Sequence, residues 1–387
     1  MSLPAAPRRG VVFTDEMRLA WLRLIRSENV GPVTFRELIN RYGSAAAALE
    51  ALPELAARGG RRIVVCGEAT AAEEMARAQK LGARFICLGE PDYPRHLRSV
   101  DHAPPVLALM GDAACLDRPA LAIVGARNAS LSGIKLTRIF ATGVGSAGYV
   151  VVSGLARGID AAAHDAALIT GTVGVFAGGL DRPYPQENRP LMRQIVDNGG
   201  ALVSEMPFGW TARAIDFPRR NRLVAGLSLG LLVVEAALRS GSLISARLAG
   251  ELGRLVFAVP GSPLDPRAAG ANRLIRDGAI LACEPADVLE ALTPLAERAG
   301  RSEDGSLDEP GPDGAPLEGT PLEGTSDEPS RGERERIVET LGPTPVAIDE
   351  IIAHTGSSPG IVQLVLLELD LAGRLERHPS GMVSLLL

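Results

Sequence analysis

The sequence predicts an α/β protein: a parallel sheet wrapped by helices, preceded by a small helical domain and followed by a winged helix. Three observations lead to this fold class. Short apolar runs alternate with helical stretches through residues 81–295, the pattern before Leu81 is helical alone, and three helices with a hairpin follow an acidic stretch. We therefore divide the chain into domains at 1–80, 81–295 and 332–387, with a linker at 296–331.

The N-terminal domain contains a helical hairpin. Between Ser27 and Gly43 the order is helix, Gly31-Pro32 turn, helix, as in small modules of the SAM or helix-hairpin-helix kind. Such modules can hold DNA phosphates with the amides of the turn, but most helical hairpins only pack. Both interpretations stay open at this point.

The middle domain contains seven apolar runs that predict strands. They are continuous rather than alternating, which indicates strands buried on both faces of a parallel sheet. The predicted strands are 84–88, 121–125, 149–153, 173–177, 201–204, 230–235 and 255–259, and the predicted helices are 132–147, 158–169, 186–199, 218–228 and 242–252.

Five loops follow these strands and are rich in Gly and Ser. Because ligands of parallel sheets lie beyond the carboxyl ends of the strands, we expect the loops to form one rim with phosphate-binding amides. Each loop alone is also consistent with a tight turn that needs glycine. The loops are 125–130, 153–160, 178–179, 240–245 and 260–262.

The segment 217–228, FPRRNRLVAGLS, is the most distinctive part of the chain. Pro218 and the helical spacing of the apolar residues after it place Arg219–Arg222 on the first turn of a helix or just before it. Guanidinium groups beside free helix-start amides form an anion site. Surface ion pairing is the alternative for an RRNR run taken alone.

The formal net charge of −6 is divided unevenly along the chain. Residues 296–331 carry ten acidic and three basic side chains, and residues 332–387 carry eight and four. Residues 1–295 hold the remaining 28 acidic and 33 basic side chains. The front of the chain can therefore attract a polyanion, whereas the tail cannot do so easily.

The linker is rich in Pro, Gly, Thr and acids, which cannot bury enough apolar surface to fold. After it, helices are predicted near 333–341, 347–354 and 357–371. A hairpin follows, with one strand at 374–377, a Ser-Gly turn and a second strand from Val383. Three helices and a hairpin describe a winged helix.

Other features argue against several classes of protein. The four cysteines are far apart without a CxxC pair, which fits a reducing cytoplasm and no zinc site or disulfide framework. The apolar run 223–238 contains Ser228 and Glu235 and is too short to span a bilayer, so we expect a cytoplasmic protein without membrane contact. We expect no metal and no cofactor.

Catalysis finds little support. Asp160 and His164 stand four residues apart on one predicted helix, but no nucleophile matches them, and a pair that stabilises the helix is the favoured interpretation. The run Gly143–Gly148 matches G-x-G-x-x-G, yet it ends a helix and precedes a strand, the reverse of a dinucleotide site. The chain is therefore predicted not to be an enzyme.

Six ordered motifs resemble the DNA-processing protein A (DprA, or Smf) family, over about residues 82–290. The resemblance implies a Rossmann-like protein that binds single-stranded DNA, dimerises, protects incoming DNA and loads the RecA recombinase onto it in natural transformation, without known turnover. The motifs are IVGAR at 123–127, SGLARGID at 153–160, FPRRNRLVAGLS at 217–228, GSLISA at 241–246, FAVPG at 257–261 and GANRLIRDGA at 270–279.

The resemblance also implies site residues. Arg127 corresponds to the arginine of the family's G-S-R motif, in which Ala126 replaces the usual serine, and Arg220, Asn221 and Arg222 correspond to its F-P-x-R-N-R motif. Phe208, Trp210 and Phe217 can stack on bases or pack in the core. The predicted nucleic-acid-binding residues are Gly125, Arg127, Ser153, Gly154, Arg157, Gly158, Arg219, Arg220, Asn221, Arg222, Ser242 and Asn272.

Two further expectations concern this set. Removal of charge at Arg127, Arg220 or Arg222 should weaken single-strand binding across all sequences. Gly158 should admit a phosphate to the rim, so that a side chain there blocks binding and leaves the protein folded.

Two other functions stay open on the sequence alone. A Rossmann-like hydrolase or transferase could use the same rim for a mononucleotide, although no catalytic constellation supports it. A transcription regulator could act through the winged helix, although the negative charge of the tail disfavours duplex binding.

Overall fold

A computed structural model describes residues 12–100, 102–301, 328–378 and 381–386 of the chain. These residues form two compact units. The first contains the middle of the chain from Glu74 on, and the second contains the N-terminal helices together with the C-terminal segment. Most of the predicted linker, residues 302–327, lies outside the described residues.

The first unit is built on a sheet with the order β1-β2-β6-β5-β4-β3-β7-β8-β9. Strands β3 to β9 run parallel to their neighbours, and β2 pairs antiparallel with β6. The prediction of a largely parallel sheet is confirmed. The strands are β1 (Ala83–Cys87), β2 (Val106–Gly111), β3 (Ala120–Val124), β4 (Val150–Ser153), β5 (Thr172–Val175), β6 (Ala201–Ser204), β7 (Gly230–Val233), β8 (Leu255–Ala258) and β9 (Ile280–Leu281).

Helices cover the sheet, and alternate residues of its central strands belong to two separate cores. In β3, Ala122 and Val124 face one core while Leu121 and Ile123 face the other, and all four are buried. Burial on both faces explains why the apolar runs are continuous. The helices between residues 95 and 301 are α5 (Arg95–Arg98), α6 (Leu131–Ser146), α7 (Ile159–Ala166), α8 (Arg189–Asp197), α9 (Asp216–Gly226), α10 (Gly241–Glu251), α11 (Ala269–Arg276) and α12 (Pro285–Arg301).

Five strands and helices of this unit are absent from the prediction, namely β2, β9, α5, α11 and α12. One boundary matters more for the site. Helix α9 begins at Asp216, so Arg219 closes its first turn and Arg220–Arg222 lie in its second. The prediction that all four lie on the first turn or just before it is therefore wrong for Arg220–Arg222. Pro218 occupies the first turn, where a missing backbone N–H costs nothing. Asp216 is the first residue of α9, and its carboxylate accepts from the backbone N–H of Arg213, before the helix, at 2.8 Å.

The N-terminal helices are α1 (Asp15–Arg26), α2 (Pro32–Tyr42), α3 (Ala45–Arg58) and α4 (Glu68–Lys80). The predicted hairpin is confirmed, since α1 and α2 flank a turn in which Asn29 has φ 60° and Pro32 begins α2. Thr14 and Ser44 cap α1 and α3 through their hydroxyl groups. Trp21 and Phe35 pack in the middle of this helical module, with ring centroids 4.8 Å apart.

The C-terminal segment is a winged helix with its own apolar core, as predicted. A two-residue strand, β10, was not predicted because it is too short to show a period. The sheet order is β10-β12-β11. The elements are α13 (Arg331–Glu339), β10 (Val346–Ala347), α14 (Ile348–Thr355), α15 (Pro359–Leu371), β11 (Leu375–His378) and β12 (Met382–Leu385).

Candidate nucleic-acid interface

A cavity of about 510 Å³ opens at the carboxyl ends of β3 and β7. The chain passes from β3 to β4, β5 and β6 on one side and then returns to place β7 on the other side of β3. Such a reversal of strand order is where ligands of open α/β sheets bind. Its lining comes from the loop 124–128, from one side of α9, from the segment after β7 and from four further residues. The residues from α9 are Phe217, Pro218, Arg220, Asn221 and Val224, those after β7 are Ala237, Arg239, Ser240, Gly241, Ser242, Ile244 and Ser245, and the further four are Gly154, Ala156, Asp160 and Arg267.

Arg127 stands at the mouth of this strand-end cavity. Its guanidinium carbon lies 5.3 Å from the centroid of the Phe217 ring, within cation–π range. Arg239, from the loop after β7, also lines the cavity and is exposed. Across the chain that the structure describes, neither arginine has a carboxylate partner. The cavity therefore presents two unneutralised positive charges to solvent.

Arg220 also lines the cavity but is only 6% exposed. Its guanidinium donates to the carbonyl oxygen of Gly154 and, at 2.8 Å, to that of Val175. Burial lowers the pKa of Arg220 to about 10, while the nearby Asp160 raises it. The expectation that Arg220 stands on the exposed rim is thus wrong in its geometry, since this arginine ties the loop after β4 to β5.

The amides of the loop after β4 are already engaged. The carboxylate of Asp160 accepts from the backbone N–H groups of Gly154, at 3.1 Å, and Ala156, at 3.3 Å. Burial raises the pKa of Asp160, whereas Arg220 and these amides lower it. The predicted phosphate cradle in this loop is therefore filled by the protein's own carboxylate.

The start of α6 also has a carboxylate bound to it, that of Glu235. Its carboxylate accepts from the backbone N–H of Ser130 at 2.9 Å and from the Ser130 hydroxyl group. A Cβ placed on Gly133 would lie 2.5 Å from the carboxyl carbon of Glu235. This helix start, the usual pyrophosphate position after the first strand of a nucleotide fold, thus holds a negative side chain.

Gly158 is explained by the backbone and not by ligand approach. It has φ +72°, which L side chains rarely adopt, and a Cβ there would overlap the carbonyl oxygen of Ala126 and lie 2.7 Å from that of Arg127. The structure gives the glycine a packing role between the two loops. The expectation that a side chain at Gly158 would only block a phosphate is therefore wrong.

The part of the chain that forms this cavity resembles known proteins. The sequence matches the family model described as DNA recombination-mediator protein A over residues 84–293. Models of a DprA-like N-terminal HHH domain and a DprA winged helix domain match residues 15–77 and 321–381. Protein Smf of Escherichia coli is 37% identical over 295 residues, which are 76% of this chain and 75% of that protein.

The chain belongs to the DprA/Smf family. The X-ray structure of DprA from Streptococcus pneumoniae superposes with a TM-score of 0.59 at 33% identity, covering 72% of this chain and 98% of that one. DNA processing protein A from Helicobacter pylori, whose structure concerns its single-stranded DNA binding mode, gives a TM-score of 0.50 at 30% identity, over 54% and 96%. The Rossmann-like core, the helical N-terminal domain and the winged helix are thus those of a DprA protein.

Several residues predicted for the rim have partners within the protein. In this DprA-family chain the Ser153 hydroxyl donates to the carbonyl oxygen of Ile123 at 2.6 Å, and Asn272 bridges the N–H and C=O groups of Gly261 at 3.1 and 2.8 Å. The Ser242 hydroxyl lies 2.6 Å from that of Ser240. These three side chains shape the loops of the rim.

The remaining predicted arginines are paired with acids. Arg157 pairs with Glu187, and both Arg219 and Arg222 pair with Glu205, whose side chain is 6% exposed. Asn221 lines the strand-end cavity, as does Gly125. The structure thus brings Gly125, Arg127, Gly154, Arg220, Asn221 and Ser242 together around one cavity and leaves Ser153, Arg157, Gly158, Arg219, Arg222 and Asn272 out of its lining.

Sequence reasoning missed Arg239 and Arg267. Arg239 directly precedes Ser240, which caps α10, so a strand, an arginine and a helix start follow one another as they do around Arg127. That repetition was the available signal. Arg267 is held by Asp265 at 3.0 Å, so it adds less charge to the cavity.

The aromatic side chains near the cavity differ in exposure. Phe208 is buried against Phe85, with centroids 5.9 Å apart, and the Trp210 ring N–H donates to Asp216 at 2.9 Å. Phe217 is half-buried and meets the edge of Tyr184, which is 55% exposed, at 5.7 Å between centroids. Tyr184 also lines a neighbouring cavity of about 370 Å³ with Arg182 and Arg189 among others.

The residues weighed for catalysis do not meet. His164 lies 2.7 Å from the Thr172 hydroxyl through Nδ1, while Asp160 turns to the loop amides, so the expected pair between them is not formed. Burial lowers the pKa of His164 to about 3. Among the residues whose placement is described, no group of three His, Cys, Asp or Glu could hold a metal ion, and no helix is long and apolar enough to cross a membrane.

Proposed function

We propose that this DprA-family chain binds single-stranded DNA without sequence preference, with the strand-end cavity as its main contact. The observation that carries the proposal is the pair of exposed, unneutralised guanidiniums of Arg127 and Arg239, which come from two different loops and line the same cavity. Arginines that meet phosphates supply most of the affinity of such proteins and carry no sequence information.

The apolar part of the cavity mouth supports a single strand over a duplex. The half-buried ring of Phe217 lies beside Arg127, and the exposed ring of Tyr184 contacts Phe217 edge to face. Unpaired bases stack on such rings in a sequence-tolerant way, whereas the bases of a duplex are already stacked on one another. Phosphates would contact the arginines while bases rest on Phe217 and Tyr184.

The charge distribution and one relative add support. Residues 1–295 carry 33 basic and 28 acidic side chains, so the part of the chain that contains the cavity attracts a polyanion. DNA processing protein A from Helicobacter pylori, 30% identical over 54% of this chain, binds single-stranded DNA. The same ligand therefore suits this chain.

The family resemblance extends the proposal. The chain would act as a homodimer in the cytoplasm, protect incoming DNA and load RecA onto it in natural transformation, without turning over a substrate. None of these steps requires catalysis, which agrees with the separation of Asp160 from His164.

A nucleotide-binding hydrolase or transferase is the alternative, and two observations disfavour it. Glu235 occupies the start of α6 and Asp160 occupies the loop after β4, the two places where a Rossmann-like site would hold phosphates. Calorimetric titration with nucleoside triphosphates, followed by a phosphate-release assay, tests this alternative directly. We expect neither binding nor release.

The proposal is tested by fluorescence anisotropy with labelled oligothymidine, a mixed-sequence single strand and the matching duplex, at several salt concentrations. We expect similar affinities for the two single strands and weaker duplex binding. Arg127→Ala and Arg239→Ala should each weaken binding by roughly tenfold and reduce the slope of log affinity against log salt by about 0.7.

Arg247→Ala is the matched control for these variants. It removes one positive charge, as each test variant does. Arg247 itself lies on α10, pairs with Glu251 at 2.9 Å and does not line the cavity. If the control lowers affinity as much as Arg127→Ala and Arg239→Ala do, the effect is general charge and the cavity is not the site. Unchanged binding in the folded double variant would also refute the assignment.

A further inference from the structure

The third helix of the winged helix, α15, is buried on two opposite faces. One face, with Ile361, Val362, Val365, Leu366 and Leu369, forms the core of the winged helix itself. A second face is equally buried, although its residues lie outside that core, and it packs against α2 and α3 of the N-terminal module. This second face consists of Leu364, Leu367, Glu368 and Leu371, each no more than 2% exposed.

Helix-turn-helix proteins read DNA by laying such a helix in the major groove, with donors aimed at phosphates and base edges. The helix Pro359–Leu371 contains no lysine or arginine, and its charged residues are Glu368 and Asp370. Its second face is leucine-rich. Acids and leucines suit another protein surface and repel a polyanion.

Directed polar contacts fix α15 on the helical module. The Asn29 side-chain amide donates to the carbonyl oxygen of Leu371 at 2.8 Å, and the Thr34 hydroxyl donates to Asp370 at 2.9 Å. Arg377 bridges the two parts, donating to Asp370 at 3.0 Å and to Glu37 at 2.9 Å. Contacts of this kind specify one orientation, which apolar packing alone does not.

The closest approach lies at Gly59, directly after α3. A Cβ there would overlap the backbone oxygen of Glu368 and lie 2.9 Å from the Cβ of Ala372. Arg374 donates to the carbonyl oxygen of Gly59 at 3.1 Å. Gly59 has φ −70°, which any residue adopts, so the absence of a side chain here is required by the docking and not by the turn.

We propose that the winged helix of this chain is a protein-docking module, whose third helix holds the N-terminal helical module of the same chain and does not read duplex DNA. The proposal goes beyond single-strand binding, because it assigns a role to the tail. It also replaces the idea of a transcription regulator acting through this domain. The N-terminal module thereby depends on the tail for part of its burial.

The test uses hydrogen exchange with mass spectrometry on the full chain. Gly59→Ala should accelerate exchange in peptides of α2 and α15 by about tenfold or more, because the added methyl group separates them. Gly31→Ala is the matched control, since Gly31 precedes α2, has φ −95° and has no atom within 4 Å of an added Cβ. Equal exchange in Gly59→Ala and the wild type would overturn the docking.

A second variant guards against misfolding. Asn29→Gly keeps the backbone at φ 60° and removes the hydrogen bond to Leu371, so it should accelerate exchange in the same peptides by a smaller factor with unchanged helix content in circular dichroism. Protection of α15 that rises with protein concentration would overturn the assignment to the same chain, because it would show docking between two copies.

Duplex binding provides the decisive readout. It is measured by anisotropy in a background that carries Arg127→Ala and Arg239→Ala, so that the strand-end cavity contributes little. We expect no gain in duplex affinity when Gly59→Ala or Asn29→Gly is added. A gain of tenfold or more would show that α15 is a DNA-reading helix covered by the module, and it would overturn the proposal.

Discussion

The guanidinium of Arg220 occupies the space that Gly154 leaves beside its own carbonyl oxygen. Arg220 donates to that oxygen, and a Cβ on Gly154 would overlap the guanidinium. The glycine and the arginine are therefore two halves of one contact between the loop after β4 and helix α9. Asp160 supplies the opposing charge and binds the amide of the same glycine at 3.1 Å.

The first prediction is that Arg220 contributes to stability more than to direct DNA contact. Arg220→Ala leaves the carbonyl oxygens of Gly154 and Val175 without this donor and removes the positive charge beside the buried Asp160. The free energy of unfolding should therefore fall by roughly 3–5 kcal/mol. Urea unfolding followed by Trp210 fluorescence in a Trp21→Phe background measures this. Arg219→Ala changes the exposed residue next to Arg220 and should lower the free energy of unfolding by less than about 1 kcal/mol.

Equal destabilisation by the Arg220 and Arg219 variants would contradict the scaffold role. So would an Arg220→Ala protein of wild-type stability that has lost single-strand binding, because that result would make Arg220 a direct DNA contact.

A second prediction concerns Gly158, at which an added Cβ meets backbone and the φ angle is +72°. Gly158→Ala should lower the free energy of unfolding by roughly 1–3 kcal/mol or more, since neither the loop at Ala126 nor the strained backbone can relax cheaply. Thermal unfolding checks this. Gly241→Ala is the control on the same rim, where no atom lies within 4 Å of the new methyl group. Stable folding of Gly158→Ala with impaired DNA binding would restore the ligand-approach interpretation.

Much of the fold could be predicted because it follows from local patterns. The buried strands of the sheet are continuous apolar runs, and loops after parallel strands share an edge, so a rim of loops at that edge could be predicted. The pairing of β3 with β7, where the cavity opens, could not, because it depends on the order of the strands in the sheet. The strand β9 and the strand β10 have two residues each and show no period that a sequence can reveal.

The site was predicted less well, because its details depend on long-range pairing. Nothing local to FPRRNR shows that Arg220 points inward while Arg219 meets Glu205, since that choice is made by the distant Gly154 and β5. Likewise, nothing in the sequence shows that the backbone N–H groups of Gly154 and Ser130 already have acceptors. Only folding brings the carboxylates of Asp160 and Glu235 to them.

A third prediction is that the second unit is more stable in acid than at neutral pH. Burial raises the pKa of Glu37 to about 7 from 4.5, although Arg377 lowers it, so the folded state binds a proton more tightly than the unfolded state. This contribution is full below about pH 4.5 and is lost as the pH rises to about 7. We expect the unfolding free energy to fall by roughly 1–3 kcal/mol over that interval.

Trp21 fluorescence in a Trp210→Phe background reports on the second unit alone, since these are the two tryptophans of the chain. Glu37→Gln should remove most of the pH dependence. The first unit should behave oppositely, because burial lowers the pKa of His164 to about 3 and that of His96 to about 4, so its stability is lost as the pH falls below about 6.5. Parallel pH profiles for both units would contradict this prediction.

The last prediction separates DNA binding from the integrity of the N-terminal module. A chain ending near residue 295 keeps the strand-end cavity and loses the acidic linker and the winged helix. Its affinity for single-stranded oligothymidine should therefore stay within about tenfold, or roughly 1.4 kcal/mol, of that of the full chain.

The same truncation uncovers α2 and α3 where α15 packs. The N-terminal module, followed by Trp21 fluorescence, should therefore unfold at a lower temperature than in the full chain. Restoring residues 296–387 as a separate polypeptide should recover the melting temperature if docking alone is responsible. A large loss of DNA affinity with an unchanged Trp21 transition would show the reverse: that the tail holds DNA or organises the dimer, and that the module stands without it.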